Sequence, residues 1–293
     1  MNTLLLAFDD EAPLAQGLAR ALGCPLALVD RHGFPDGETR LRLPPRLPPR
    51  VVLLRGLQDP NAKLTELLLA AGGARELGAS RLVLVAPYMA YMRQDMAFTP
   101  GEVVSQRLLG RLLAAAFDAV ITVDPHLHRV ATLDEVLPGR RGVALSAAAL
   151  LGGHVAREVP GAMLLAPDEE AGQWVRAAAL AHGLDHAICR KQRHGDRDVD
   201  VALPAARVDG RAVVLLDDVA STGRTLIAAA RGALAQGAAS VDVAVTHGLF
   251  IGNALAEVQA AGVRHVWSSD CVRHSSNAVS VVPLLAQAVR GLG

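Results

Sequence analysis

The densest group of chemically capable side chains is the run Val213-Val214-Leu215-Leu216-Asp217-Asp218-Val219-Ala220-Ser221-Thr222-Gly223-Arg224-Thr225. Apolar β-formers lead into two carboxylates, then a hydroxyl-rich turn with a glycine, then helix-forming sequence. Such a unit suits a phosphate. The first amides of the helix and the positive end of its dipole face the ligand, Gly223 lets the backbone come close, and Thr222 and Thr225 add hydroxyl donors. Asp217 and Asp218 fall at the carboxyl end of the strand, where open α/β sheets bind ligands, and their oxygens suit a ribose 2,3-diol. The competing reading is a capped structural loop in which Ser221 is only the N-cap.

Other residues gain meaning from position. Asp168 ends an apolar run in Ala166-Pro167-Asp168, where a hard carboxylate suits a Mg²⁺ shared with phosphates. Lys191 and Arg193 follow another such run in a polar segment reaching about Asp200, which reads either as a flap bringing positive charge over migrating phosphoryl oxygens or as a solvated loop. Lys191 is notable because Lys63 is the only other lysine. Phe34 offers a ring to a purine, and Asp36 and Glu38 of Phe34-Pro35-Asp36-Gly37-Glu38 can accept hydrogen bonds, although the stretch alone reads as a turn. Arg93 can reach a triphosphate over a sheet edge, with Gln94 and Asp95 orienting it or the nucleotide; Arg93 and Asp95 alone would make an ordinary surface ion pair. His126 and His128 form a His-Leu-His pair that lacks a nearby third ligand for a transition metal.

The elements that position these residues alternate. Short Val/Leu-rich runs at Thr3 to Phe8, Leu26 to Asp30, Val51 to Arg55, Arg81 to Ala86 and Ala119 to Val123 read as buried strands. Helices fit from Asp10 as cap to about Leu22, from Asp59 to Asn61 toward Gly78, and from Pro100 to Glu102 as far as Phe117. The second half repeats the scheme with strands at Ala162 to Ala166, His186 to Cys189, Ala212 to Leu216, Val241 to Thr246 and Arg264 to Trp267. Helices at Ala171 to His182, Ser221 to Gln236 and Asn253 to Ala261 separate them. Leu137 to Val143 reads as the linker, which places a first domain at residues 1–144 and a second at 145–293. The two halves suggest a duplicated α/β architecture, without an evident residue-by-residue repeat. The proline-rich tract Leu43 to Arg50 reads as a stiff surface connection.

Composition narrows the partners. The chain has 293 residues, 51% hydrophobic and 20% charged, which fits two ordered globular domains. With 29 basic and 29 acidic residues there is no long-range field to gather nucleic acid or an anionic membrane, so an anion site must be built locally. The apolar run Leu4 to Phe8 is too short for a signal peptide, and charges interrupt every apolar segment before it reaches membrane-spanning length. Cys24, Cys189 and Cys271 are odd in number and widely spaced, as expected of reduced thiols in a cytoplasmic protein.

The Asp217 to Thr225 motif resembles the ribose-phosphate loop shared by phosphoribosyltransferases and phosphoribosyl diphosphate synthases. Four further segments are similar to the synthases, also called ribose-phosphate pyrophosphokinases, in the family's order: Phe34 to Glu38, Pro87-Tyr88 with Tyr91 to Asp95, Thr122-Val123-Asp124-Pro125-His126, and Lys191-Gln192-Arg193. A transferase alone would account only for the second half. The resemblance implies two Rossmann-like phosphoribosyltransferase-type domains, each a parallel sheet flanked by helices, with the active site in the cleft between them. It implies ATP on Phe34, Asp36, Gly37, Glu38, Arg93, Gln94, Asp95 and His126. Ribose 5-phosphate would lie on Arg193, Asp217, Asp218, Ser221, Thr222, Gly223, Arg224 and Thr225. Mg²⁺ would be held by His126 and Asp168, Lys191 and Arg193 would be catalytic, and a homodimer or larger homo-oligomer is implied. A phosphoribosyltransferase, a non-catalytic regulatory homologue and a kinase for another pentose phosphate are the alternatives. The chain departs from the pattern at Glu169-Glu170-Ala171, where members often carry glycines, and at Ser221 and Arg224. Ala97 to Glu102 lacks the basic run of members inhibited by ADP and activated by phosphate.

Overall fold

A computed structural model describes residues 3–193, 199–202 and 208–292, with the side chains of residues 190–193 and 199–202 left aside. It divides into two compact units, Met1–Leu145 with Val282–Gly293, and Ser146–Val281.

In the first unit, β1 (Thr3–Ala7), α1 (Ala12–Leu22), β2 (Leu26–Leu28), β3 (Asp30–Gly33), β4 (Thr39–Arg42), β5 (Arg50–Leu54), α2 (Pro60–Glu76), β6 (Arg81–Ala86), α3 (Ser105–Ala116), β7 (Ala119–Val123) and β8 (Arg141–Leu145) follow in order. Six of the strands form one parallel sheet in the order β2-β1-β5-β6-β7-β8, while β3 and β4 pair only with each other as an antiparallel hairpin. Val51 to Leu54 and Leu82 to Ala86 are fully buried, as central strands covered on both faces must be.

Several sequence expectations shift. Asp10 does not cap α1, because its carboxylate is taken by Arg55, and a 3-10 turn at Asp9–Glu11 precedes the helix. The strand from Leu26 breaks at Leu28 and the chain leaves as the exposed hairpin. Helix α3 begins at Ser105 rather than at Pro100 to Glu102, since the Glu102 carboxylate accepts from the amides of Phe98 (2.6 Å) and Thr99 (3.2 Å) and closes that stretch into a turn. The expected linker is in part an edge strand: Arg141 to Leu145 pairs with β7, and a Cβ on Gly142 would lie 2.8 Å from Leu133, so the strand fits against its neighbour only as glycine. In the proline-rich tract, Leu47 is buried and its amide donates to Leu77 O at 2.9 Å, so this connection packs on the end of α2.

The second unit runs α4 (Ala148–Glu158), β9 (Met163–Ala166), α5 (Gly172–His182), β10 (Asp185–Ile188), β11 (Arg190–Arg193), β12 (Val199–Ala202), β13 (Ala212–Ala220), α6 (Arg224–Ala235), β14 (Ser240–Gly248), α7 (Ala254–Ala260), β15 (Val263–Ser269) and β16 (Asn277–Val279). Its sheet is parallel in the order β10-β9-β13-β14-β15-β16, and β11 and β12 make a separate antiparallel hairpin. The last helix, α8 (Val282–Gly291), belongs to the first unit, so residues 145–293 do not all form the second domain. It packs on α1, where Val282 approaches Gly17, and Arg50 Nη2 donates to Val289 O at 2.7 Å. Among the described residues no helix is long and apolar enough to cross a membrane.

The two sheets share one strand order, each with a hairpin inserted after its second strand. Their registers expose a repeat that is hard to see in the linear sequence. Leu6 faces Leu53 in the first sheet and Leu165 faces Leu215 in the second. On that alignment Leu5-Leu6-Ala7-Phe8-Asp9-Asp10-Glu11-Ala12 matches Leu164-Leu165-Ala166-Pro167-Asp168-Glu169-Glu170-Ala171, and Val51-Val52-Leu53-Leu54 matches Val213-Val214-Leu215-Leu216. Asp9 therefore corresponds to Asp168, and Arg55 to Asp217.

Candidate active site

In the second unit the strand order reverses between β9 and β13, and ligands of open α/β sheets bind outside the carboxyl ends at such a switch point. Strand β13 is longer than its apolar run suggests. It pairs with β9 over Val213 to Leu215, yet stays paired with β14 as far as Ala220. Asp217 and Asp218 thus lie within the overhanging strand, one flank supported and the other open above the end of β9. Asp168 leaves β9 at the same level, and its Oδ1 accepts from Ala171 N at 3.1 Å.

These carboxylates oppose one another. Asp217 Oδ1 accepts from Asp218 N at 2.9 Å, and Asp218 is buried. Burial, then the charges of Asp218 and Asp168, push the Asp217 carboxyl well above the usual carboxylate range. A divalent cation would relieve that repulsion, so the donor set fits Mg²⁺. Burial and the same Asp168 charge push the Cys189 thiol up to about 12, which leaves it an inert core residue.

The loop after β13 is rigidly placed. Phe250 N and Ile251 N donate to Ala220 O and Ser221 O, each at 3.0 Å. Gly223, not Ser221, is the N-cap of α6; its φ is 71° and a Cβ would lie 2.7 Å from Val258 Cγ2, so glycine is required by backbone and packing as well as by any ligand. Thr222 and Arg224 are exposed, Ser221 and Thr225 half-buried, and the first amides of α6 are unpaired within the helix. Lys191 and Arg193 lie on β11, in register with Val201 and Val199. Their side chains, like residues 194–198, lie outside what the structure describes.

The first-unit candidates leave the carboxyl edge of the other sheet. His126 follows β7 after Asp124, a buried residue held at φ 38°, a strained value for a non-glycine. In the sequence Asp124 stands only as a member of the Thr122 to His126 motif, at the end of a strand buried along its whole length. His126 Nδ1 and His128 Nε2 share a hydrogen bond of 3.0 Å, so the two imidazoles act as a pair. Strand β6 carries the Arg93 loop, in which Tyr91 is also left-handed, at φ 60°. Gln94 and Asp95 do not orient Arg93. The Gln94 amide donates to Met96 O at 3.2 Å, and Asp95 accepts from Arg129 at 3.3 Å. Arg93 is exposed and, among the described residues, has no ion pair or hydrogen bond.

The Phe34 turn caps the β3–β4 hairpin. Phe34 N donates to Glu38 O (2.8 Å), Glu38 N to Asp36 Oδ1 (3.1 Å), and Gly37 takes φ 93°. Phe34 is 42% exposed, its ring edge-on to His32. This hairpin issues from the β2 end of the sheet, four strand spacings or roughly 19 Å from β7, so sheet order does not bring it to His126.

The switch point of the first unit, between β1 and β5, holds an internal cation that the sequence reading did not single out. Arg55 is fully buried, its guanidinium 4.2 Å above the Phe8 ring centroid. It donates to Asp10 Oδ1 at 2.6 Å and to Glu66 Oε2, and lies 3.6 Å from Glu11 Oε2. Glu11 also accepts from Gly56 N, yet burial raises its carboxyl to about 7.

A family model described as the N-terminal domain of ribose phosphate pyrophosphokinase matches residues 3–116, and one described as the phosphoribosyl transferase domain matches residues 147–284. The ribose-phosphate pyrophosphokinase of Methanopyrus kandleri is 36% identical over 293 residues, covering 99% of both chains. That of Methanosarcina mazei is 36% identical over 282 residues, 95% of this chain and 92% of the relative. The crystal structure of phosphoribosylpyrophosphate synthetase from Mycobacterium smegmatis shares the fold, with a TM-score of 0.85 at 24% identity over 100% of this chain and 99% of that one.

Proposed function

The chain belongs to the ribose-phosphate pyrophosphokinase family, and from that premise we propose that it transfers the diphosphoryl group of ATP to the 1-hydroxyl of ribose 5-phosphate. The 1-oxygen attacks the β-phosphorus, the bond from that phosphorus to the α,β-bridging oxygen breaks, and AMP leaves with the electron pair. The hydroxyl proton passes to solvent, since no side chain among the described residues is an evident general base. The products are 5-phosphoribosyl 1-diphosphate and AMP.

The observation that carries this reading is the acidic switch point beside an amide-lined loop. Asp217 and Asp218 suit the ribose diol, while the amides of α6 with Ser221, Thr222 and Thr225 suit the 5-phosphate. Arg224, exposed at the helix start, is free to add a phosphate contact. Asp168 and His126 are the residues that would hold Mg²⁺, which when bound would neutralise charge on the phosphates. Lys191 and Arg193 add positive charge from the hairpin. Phe34, Asp36, Gly37 and Glu38, with Arg93, Gln94 and Asp95, form the nucleotide site. The distance between the β2 and β7 ends of the sheet supports a homodimer in which one copy's hairpin completes the other's nucleotide site.

A phosphoribosyltransferase would account only for the second unit, and a silent regulatory homologue would have no need of Asp168, Asp217 and Asp218 together. AMP release that depends on ribose 5-phosphate, without ADP, tests the assignment; ADP release would overturn it.

A further inference from the structure

The nucleotide hairpin poses a mechanical question. Strands β3 and β4 bond only to each other, so the parallel sheet does not hold the Phe34 turn in place. Residues Asp30 to Gly33 are exposed throughout, and little apolar packing fixes β3. Leu41 of β4 packs on the core and Val29 ties the start of the hairpin to β1, but what reaches β3 itself from the body of the unit is charge. Arg31, in the middle of β3, donates from Nη1 to Glu66 Oε1 at 2.9 Å and from Nη2 to Asp9 Oδ1 at 3.0 Å. The Glu66 side chain is 7% exposed on α2, and its other oxygen accepts from Arg55. A continuous chain therefore runs from the switch point to the hairpin: Arg55, Glu66, Arg31.

The internal repeat makes this arrangement meaningful. In the second unit the position of Arg55 is an aspartate, and the switch point is acidic and open to a ligand. In the first unit the matching acids Asp9 and Asp10 are spent on arginines of the same chain. A place that could hold a ligand holds a guanidinium, and the carboxylate that clamps it also grips the hairpin.

We propose that the Arg55–Glu66–Arg31 chain is the positioning device of the Phe34 to Glu38 turn, the switch point of the first unit having become an anchor rather than a binding site. The proposal rests on the reading of that turn as part of the nucleotide site. Arg31 does not touch the nucleotide; it sets the angle at which Phe34, Asp36 and Glu38 are presented.

The test uses the full-length protein with ATP, Mg²⁺ and ribose 5-phosphate, comparing Arg31→Ala, Arg31→Lys and Phe34→Ala. Arg31→Ala should raise KM for ATP about tenfold, the effect of losing charge-assisted hydrogen bonds, while kcat and KM for ribose 5-phosphate stay within about twofold. Arg31→Lys should recover much of the loss. Hydrogen exchange at the amides of residues 30–42 should quicken in Arg31→Ala and not elsewhere in the sheet. An unchanged KM for ATP in Arg31→Ala, when Phe34→Ala raises it, would overturn the proposal. If Phe34→Ala leaves KM for ATP untouched, the nucleotide reading of the turn falls, and exchange rates decide the anchor on their own: faster hairpin exchange upholds it and wild-type rates sink it.

Discussion

Arg55 and Asp217 occupy the same position in two copies of one strand arrangement, each following a Val-Val-Leu-Leu run beside a switch point, with opposite charge. In one copy the carboxylates close on an internal cation, and in the other they are left to repel one another. Opposite charge at one position separates a switch point filled by the chain's own guanidinium from one that is acidic and open.

Arg55→Met keeps most of the side chain's apolar volume but takes the nearest cation from the buried Glu11 and leaves Glu66 with Arg31 alone. Removing one partner of a buried ion pair costs about 3 to 5 kcal/mol, and thermal or denaturant unfolding should show a loss of that order. A loss below about 1 kcal/mol would mean the network contributes little.

Glu11 makes stability depend on pH. Its folded carboxyl titrates at about 7, against an ordinary 4.5, because burial outweighs Arg55 and Gly56. The folded state holds this proton more tightly, so the contribution is whole below about 4.5 and is lost as pH rises through 7. The shift corresponds to about 3 kcal/mol in order of magnitude. Glu11→Gln should therefore be more stable than the wild type at pH 8 and equal to it near pH 4. Parallel stability curves for the two proteins across that range would contradict the assignment.

Much of this was legible in the linear sequence, for reasons that differ by element. Strands such as Arg81–Ala86 and Ala119–Val123 read correctly because burial on both faces demands unbroken apolar runs. Strand β13 read too short, since Asp217 to Ala220 stays in the ladder through pairing with β14, which local hydrophobicity does not report. Strand β3, exposed and charged, lacks the alternation that marks a strand, and β4 alternates over only the four residues Thr39 to Arg42. Helix α8 was assigned to the wrong domain because its partner α1 lies at the other end of the chain. In the site, the Asp217 to Thr225 run was evident because its parts are contiguous, whereas the pairing of Asp95 with Arg129 and of Arg55 with Asp10 and Glu66 depends on distant segments.

Cation binding at the second switch point should release a proton. Burial, then Asp218 and Asp168, raise the Asp217 carboxyl above the usual carboxylate range, and Mg²⁺ favours its ionised form, so affinity should fall as pH falls. Titration calorimetry of Mg²⁺ in two buffers of different ionisation enthalpy should give different apparent heats, and Asp217→Asn should remove the difference. Identical heats for the wild type in both buffers would speak against Asp217 as the linked group.

Lys191 is placed on a hairpin outside the main sheet, so its loss should spare the fold. If its ammonium meets the phosphates mainly in the transition state, Lys191→Ala should lower kcat and kcat/KM together by about 10²- to 10³-fold, with KM and melting temperature nearly unchanged. Retention of more than about a tenth of kcat would exclude a catalytic role, since tenfold is only 1.4 kcal/mol.

Phosphorus NMR of the purified protein with ATP, Mg²⁺ and ribose 5-phosphate measures the central claim directly. Diphosphoryl transfer predicts that the ATP resonances give way to AMP and, in equal amount, to a new diphosphate ester on the sugar, with the 5-phosphate signal retained. Growth of ADP with a second sugar monophosphate would show single phosphoryl transfer and contradict the account.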